Sequence, residues 1–279
     1  MEKIKIITDS TADLPRSIIE KYQIEVLPLT INFGEKTYVD GIDIDFKSLL
    51  EKIEEGEGFP HTSQVIPQRF IECYKRYLDE GYKIISLHLS SKMSGTYQSA
   101  CIAKETLDSE EIVVIDGQSV TSGLGLLVIK ACILVEEGKN IFDIKEDTIN
   151  TIPHVKSVLA FDCLEHLVKG GRLSKTAGVI GNILGIKPIL TVKDGEMAVE
   201  DKVRGSKKAL KYILEHLENV QLDEKVPMIL LNAENEDIIE VLREKLIKEK
   251  YNFVEAEVGC TVGTHSGPRA CGVFFIEKY

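Results

Sequence analysis

Short apolar segments alternate with segments of helical periodicity through the first half of the chain. Strand-like runs occupy 3–7, 83–89 and 111–115, and a long helix is predicted over 120–137. Strands that alternate with helices predict βαβ units and a mostly parallel sheet. We therefore predict an N-terminal α/β domain over residues 1–153.

Two local predictions concern the start of this domain. Apolar residues over 25–33 predict a second strand, closed by a turn at Gly34. Asp13 and Pro15 are typical of a cap and a first-turn residue, so a helix is predicted to begin there.

The second half has a different pattern. Segments 186–192 and 196–203 flank Asp194-Gly195, a strong signal for a β-hairpin. A hairpin among αβ units predicts a mixed sheet, in a C-terminal α/β domain over 154–279. Because no low-complexity linker separates the halves, we expect them to pack closely around a cleft.

Composition excludes several functions. A formal net charge of -11 argues against nucleic-acid binding, which needs a basic face. No apolar stretch reaches the roughly 18–20 residues of a membrane span, and no signal peptide is recognised, so a cytoplasmic protein is expected. The six cysteines form no CxxC pair, which indicates free thiols and no metal site.

Polar residues follow several predicted strands. They are Thr8-Asp9-Ser10, Ser90-Ser91 and Asp116-Gly117-Gln118-Ser119, with Thr62-Ser63-Gln64 as a further polar segment. Ligands of open α/β sheets bind outside the carboxyl ends of the strands, so these segments predict a polar site. The alternative is that each one only caps a helix.

Three further features suit an anionic ligand. Ser94 and Gly95 open a helix, whose free backbone N–H groups favour a carboxylate. His265 lies in a glycine-punctuated loop, where core packing does not explain it. Arg172 and Arg204 adjoin glycines and carry the donor fork that recognises carboxylate or phosphate. Capping, solvent exposure and surface ion pairs are the respective alternatives.

Glycines at 178, 181 and 185 punctuate an apolar stretch, which we interpret as close packing or as the wall of a narrow channel. No GxSxG elbow, phosphate loop, GxGxxG or HExxH motif is present. Ser94 with His265 would be a nucleophile and its base only if a third residue oriented the histidine, and none is evident.

Taken together, the segments resemble the DegV family, and the resemblance covers nearly the whole chain in order. The matching stretches are Ile7-Thr8-Asp9-Ser10-Thr11-Ala12-Asp13-Leu14-Pro15, His61-Thr62-Ser63-Gln64, Leu89-Ser90-Ser91 with Ser94-Gly95-Thr96-Tyr97, Lys169-Gly170-Gly171-Arg172-Leu173-Ser174, and Gly263-Thr264-His265-Ser266-Gly267-Pro268.

The resemblance implies two α/β domains with a long-chain fatty acid, such as palmitate, buried between them. It implies a non-catalytic subunit of bacterial fatty acid kinase, with no cofactor, that presents the carboxylate to a dihydroxyacetone-kinase-like, ATP-binding partner. The product would be an acyl-phosphate for phospholipid synthesis, and transient membrane contact is compatible with this role. A stand-alone lipid carrier and a Ser/His acyl hydrolase are the alternatives.

By matching position, the resemblance also assigns site residues. The carboxylate would be held by Thr62, Ser63, Ser94, Gly95 and His265. Arg172 and Arg204 would lie near the pocket mouth, where phosphate arrives and the kinase docks.

One position departs from the family pattern. The loop usually continues Gly-Pro-Gly-Ala, whereas here it reads Gly267-Pro268-Arg269-Ala270. Arg269 is expected either to shift the His265 loop or to place a positive charge near the carboxylate.

Overall fold

The first half is built on a four-stranded sheet. A computed structural model describes residues 2–174 and 185–279. The sheet has the order β2-β1-β6-β7, and every neighbouring pair is parallel, which confirms the prediction for this half. Its strands are β1 (Ile4–Asp9), β2 (Glu25–Leu27), β6 (Lys83–His88) and β7 (Ile112–Asp116).

Helices cover both faces of this sheet. They are α1 (Arg16–Tyr22), α3 (Pro67–Asp79), α4 (Thr96–Leu107), α5 (Ser122–Glu136) and α6 (Ile141–Thr151). Most residues of α5 are buried, because it contacts β1 and β6 on one side and strands of the second sheet on the other. A helix that is apolar all round suits this central position. It occupies most of the long helix predicted from the sequence.

The strand predicted over 25–33 is wrong as a single element. Pro28, which has no backbone N–H to donate, falls between β2 and a new strand, β3 (Thr30–Phe33). β3 leaves the parallel sheet and forms a small antiparallel sheet with β4 (Lys36–Val39) and β5 (His61–Ser63). Helix α2 (Phe46–Glu54) lies between β4 and β5 in the chain.

The second half is built on a six-stranded mixed sheet, as predicted, with the order β10-β9-β8-β13-β11-β12. Among its pairings, β11 with β12 is parallel, and the hairpin of β9 and β10 turns at Asp194-Gly195. The strands are β8 (Val155–Ala160), β9 (Ile186–Lys193), β10 (Glu196–Arg204), β11 (Met228–Ala233), β12 (Phe253–Glu257) and β13 (Ala270–Ile276).

The described helices of this half are α7 (Glu165–Lys169), α8 (Ser206–Glu218), α9 (Glu236–Lys248) and α10 (Cys260–Ser266). The boundary at 153/154 falls in a short turn between α6 and β8 and stays a prediction. We interpret the glycine-punctuated stretch as close packing or as a channel wall. Its residues 175–184 lie outside the described residues. Within the described ranges, no helix is long and apolar enough to cross a membrane.

The loop that follows α10 carries the departure at Arg269. This residue has φ +61°, a left-handed conformation that favours glycine. Its side chain turns to the surface: Nε donates to Asp162 and Nη2 to Asp237, each at 2.8 Å. Arg269 does not line the cavity beside His265. The Arg269 side chain therefore forms two ion pairs, while its backbone keeps a strained left-handed conformation.

The ion pairs and the backbone strain together predict which of two Arg269 variants is the more stable. Arg269→Ala loses both ion pairs and keeps the left-handed strain, whereas Arg269→Gly loses the pairs and relieves it. We expect the glycine variant to be more stable by about 1 kcal/mol, since a left-handed non-glycine residue costs roughly that much. Denaturant unfolding measures the difference.

Arg243 is the matched control, because it pairs with Glu255 from within α9, where the backbone is helical. There the order should reverse, with Arg243→Gly less stable than Arg243→Ala by about 1 kcal/mol. If Arg269→Ala were as stable as Arg269→Gly, the backbone at position 269 would not be strained.

Candidate functional site

A cavity lies between the two halves, at the carboxyl ends of the parallel strands. The space bounded by its lining residues, counted together with open solvent at its mouth, is about 980 Å³. Most of its wall is apolar and comes from both halves, including Leu29, Leu89, Leu159, Phe161, Leu167 and Leu231. A cavity with a largely apolar wall suits a mostly apolar small molecule.

Thr62 and His265 meet in this wall, although 203 positions separate them in the chain. Thr62 lies on β5 and His265 in the last turn of α10, with 2.9 Å between Thr62 Oγ1 and His265 Nε2. The other ring nitrogen, Nδ1, is buried without a hydrogen-bond partner among the described residues. A side chain at Gly170 would collide with that nitrogen, so glycine there lets the α7 backbone close against the ring.

These surroundings determine the state of the imidazole. Burial lowers the pKa of His265 to about 4, with the charges of Arg172, His166 and His61 acting in the same direction. The ring is therefore neutral near pH 7. Nδ1 lacks a partner among the described residues in either tautomer, and in the tautomer that carries the proton on Nε2 the ring donates to Thr62 Oγ1.

Ser94 and Gly95 line the same cavity, just before α4. The Ser94 hydroxyl is within 3.0 Å of Thr96 Oγ1 and accepts a weak bond from the Thr96 amide at 3.3 Å. Gly95 packs against the side-chain amide of Gln64. Any side chain at position 95 would collide with Gln64 Oε1. The loop before α4 and the end of β5 are thus in contact.

Gln64 is a lining residue that the sequence-based assignment leaves out. Its Nε2 donates to Ser99 Oγ at 2.9 Å. Strand alternation indicates that Gln64 lines the cavity. Side chains of a strand point to one face at every second position, and Gln64 follows Thr62 by two. By the same rule Ser63 points away from the cavity. It is exposed, does not line the wall, and accepts a bond from Asn32 at 2.9 Å.

The two arginines lie in different environments. Arg172 is half-buried, lines the cavity and donates to the carbonyl oxygen of Met93 from Nη2 at 2.8 Å and from Nε at 3.2 Å. Among the described residues no carboxylate pairs with it. Arg204 is exposed at the end of β10 and does not line the cavity.

Asp13 does not cap the helix predicted to begin beside it. Helix α1 begins at Arg16 without a side-chain cap, and Asp13 is buried with φ +46°. Its carboxyl group instead accepts bonds from Thr121 Oγ1 at 2.6 Å and from Gly259 N at 3.0 Å. The prediction failed because these partners are distant in the chain.

Nucleophilic chemistry finds little support in this geometry. Ser94 and His265 share no hydrogen bond, since His265 Nε2 is bonded to Thr62. A hydrogen-bonded chain of Ser86, His88 and Asp9 does exist, but all three residues are 0 % exposed and none lines the cavity. Across the described ranges, no cluster of His, Cys, Asp or Glu is arranged to hold a metal ion.

Comparison with known proteins agrees with the geometry. The sequence matches the family described as "Uncharacterised protein, DegV family" over residues 3–278. A DegV domain-containing protein of Clostridium acetobutylicum is 62% identical over 279 residues, which is 100% of each chain. A fatty-acid-binding DegV family protein from Thermus thermophilus has a solved structure with TM-score 0.90 and 30% identity, covering 99% of this chain and 100% of that one.

The structure of DegV from Bacillus subtilis, a fatty acid binding protein, gives TM-score 0.86 at 31% identity over 100% of both chains. Family match, sequence identity and fold all extend over nearly the full length. The chain therefore belongs to the DegV family.

Proposed function

We propose that this chain binds one long-chain fatty acid, such as palmitate, in the cavity between its halves. The observation that carries the proposal is the composition of the cavity wall: Thr62, Ser94 and His265 supply polar groups to a surface that is otherwise mostly apolar. Related proteins of the same fold from Thermus thermophilus and Bacillus subtilis bind fatty acids. One anionic end and a long apolar tail match such a wall.

The Thr62–His265 pair is suited to a carboxylate. When Nε2–H of the neutral ring donates to Thr62 Oγ1, the threonine hydroxyl keeps its own proton for another acceptor. That acceptor is the fatty acid carboxylate, with the Ser94 hydroxyl and the amide of Gly95 as further donors. The positive charge of Arg172 in the same wall offsets part of the cost of burying the anion.

The tail supplies most of the affinity. Each buried methylene contributes about 0.8 kcal/mol, so about a dozen outweigh the several kcal/mol needed to remove water from a carboxylate that finds new donors. No cofactor takes part in binding.

The function is completed by a separate kinase. A carboxylate oxygen attacks the γ-phosphorus of ATP, the bond to ADP breaks, and an acyl-phosphate for phospholipid synthesis forms. The chain has no phosphate-loop motif, so a dihydroxyacetone-kinase-like partner would supply ATP and Mg²⁺. The exposed Arg204 is the proposed partner contact, and the half-buried Arg172 lies where phosphate would arrive.

The first prediction from the proposed function concerns the carboxylate donors. Thr62→Val and Ser94→Ala should each weaken palmitate binding about 10- to 100-fold, since a hydrogen bond to a charged group contributes roughly 1.5–3 kcal/mol. Native mass spectrometry and equilibrium titration measure the loss. Ser63→Ala is the matched control, because Ser63 follows Thr62 on the opposite face of β5, and it should bind like the unmodified chain. Equal weakening in the control would contradict this placement of the carboxylate.

The second prediction concerns pH. In ligand-free protein the His265 ring should titrate with a midpoint of about 4, below the ordinary value of about 6.5. Because the unfolded chain takes up this proton first, His265 should cost stability as pH falls from about 6.5 to about 4. NMR of isotope-labelled histidine measures the midpoint. Titration near 6.5 would mean that the ring is solvated.

The third prediction concerns the contact with the partner kinase. Arg204→Ala should retain palmitate binding and lose at least about tenfold in phosphorylation rate with the partner kinase, because charged contacts at an interface raise the rate of encounter. Arg243→Ala, which removes an arginine from α9, is the control and should leave phosphorylation unchanged. Normal phosphorylation of the Arg204 variant would remove this residue from the partner contact.

A further inference from the structure

The N-terminus of α10 is held by a carboxylate from the other half of the molecule. Asp40 Oδ1 accepts a hydrogen bond from Cys260 N at 3.0 Å, and Oδ2 accepts one from Thr261 N at 3.3 Å. The Ser10 hydroxyl donates to Oδ2 at 2.8 Å. Asp40 is only 4% exposed, so water has little access to replace it.

Asp13 extends the same contact by one residue, since its Oδ1 accepts a bond from Gly259 N at 3.0 Å. Three consecutive amides, those of residues 259–261, are thus bonded to the side-chain carboxyl groups of Asp13 and Asp40 in the N-terminal half. A carboxylate at this end of a helix is also favoured by the helix dipole. These bonds satisfy donors that a helix cannot satisfy internally.

Helix α10 is too short to fix its own orientation. It has 7 residues, and helices of this length are not stable alone in water. Yet it presents Thr261, Val262, His265 and Ser266 to the cavity. The histidine lies one turn beyond Thr261, so a tilt at the capped end displaces the ring from Thr62.

From these contacts we propose that Asp40 is a positioning residue for the Thr62–His265 pair. By capping α10 from the opposite half, it places His265 Nε2 within hydrogen-bond distance of Thr62. This inference rests on the proposed function, because the pair matters for the ligand only if it holds a carboxylate. Asp40 itself does not line the cavity, so it is not placed to contact the proposed ligand.

A double-mutant cycle tests the inference. Asp40→Ala should weaken palmitate binding about tenfold or more in the unmodified chain, but about twofold or less in the Thr62→Val background, since residues that act through one network are not additive. Asn140→Ala is the matched control, because Asn140 Oδ1 likewise accepts bonds from two backbone amides, at the start of the remote helix α6. It should leave binding unchanged.

A second measurement does not require any ligand. In ligand-free Asp40→Ala, the NMR signals of the His265 ring nitrogens should shift toward those of a ring that has lost its Thr62 partner. In Asn140→Ala they should stay in place. This arm decides the role of Asp40 even if palmitate fails to bind the unmodified chain, a result that would refute the proposed function instead.

Two outcomes would overturn the inference. One is an equal loss of binding from Asp40→Ala in both backgrounds, which would mean a general effect on the fold. The other is an unchanged His265 spectrum, which would mean that α10 keeps its position without this cap. If Asp40→Ala does not fold, Asp40→Asn replaces it, because the amide oxygen still accepts one bond while the NH₂ group opposes the other donor. A smaller loss of palmitate binding in Asp40→Asn that again nearly disappears in the Thr62→Val background supports the inference. An equal loss in both backgrounds rejects it.

Discussion

Under the proposed function, a buried carboxylate needs hydrogen-bond donors in place of water, and the polar groups that can supply them come from both halves of the molecule. An apolar cavity is easily made from leucines, but an anion in it is costly unless donors lie ready. In this chain the polar groups come from separate elements: Thr62 from the small antiparallel sheet, Ser94 from the start of α4, and His265 from α10. The cavity is complete only when the halves are joined.

Histidine at this position works as a neutral group. Burial and nearby positive charges keep the proton off the ring near pH 7. A protonated ring would attract a carboxylate more strongly, but it would also carry a buried charge in the empty cavity. The neutral ring lies between Thr62 and Gly170, and it orients the Thr62 hydroxyl instead. Arg172, held by the Met93 carbonyl, supplies the permanent charge close by.

Sequence patterns were sufficient for the architecture because they are local. Alternating strands and helices predicted the parallel sheet, and Asp194-Gly195 predicted the hairpin. The break at Pro28 was also local, and the missing N–H of proline could have revealed it. Strand alternation could likewise have separated Ser63 from Thr62 and added Gln64 to the cavity wall. All of these features follow from rules that act over a few neighbouring residues.

Other features lay beyond local rules. Nothing near Asp13 in the chain indicates that its partners are Thr121 and Gly259, so a helix cap was the natural prediction. Arg269 shows the same limit, because its charge is directed to Asp162 and Asp237 rather than to the cavity. Partners of buried or paired charges are set by tertiary contacts, which follow from the whole fold.

The long-range contacts of α10 link the cavity wall to the junction between the two halves. The amides at the start of α10 are bonded to Asp40 and Asp13, while its far end meets Thr62, so the helix touches the N-terminal half at both ends. Within its own half, α10 packs against α7, where His166 Nδ1 lies 3.2 Å from the carbonyl oxygen of Thr264. A ligand that contacts this helix therefore contacts the junction of the halves. Since anything that binds only the folded state stabilises it, a bound fatty acid should strengthen the junction as well as fill the cavity.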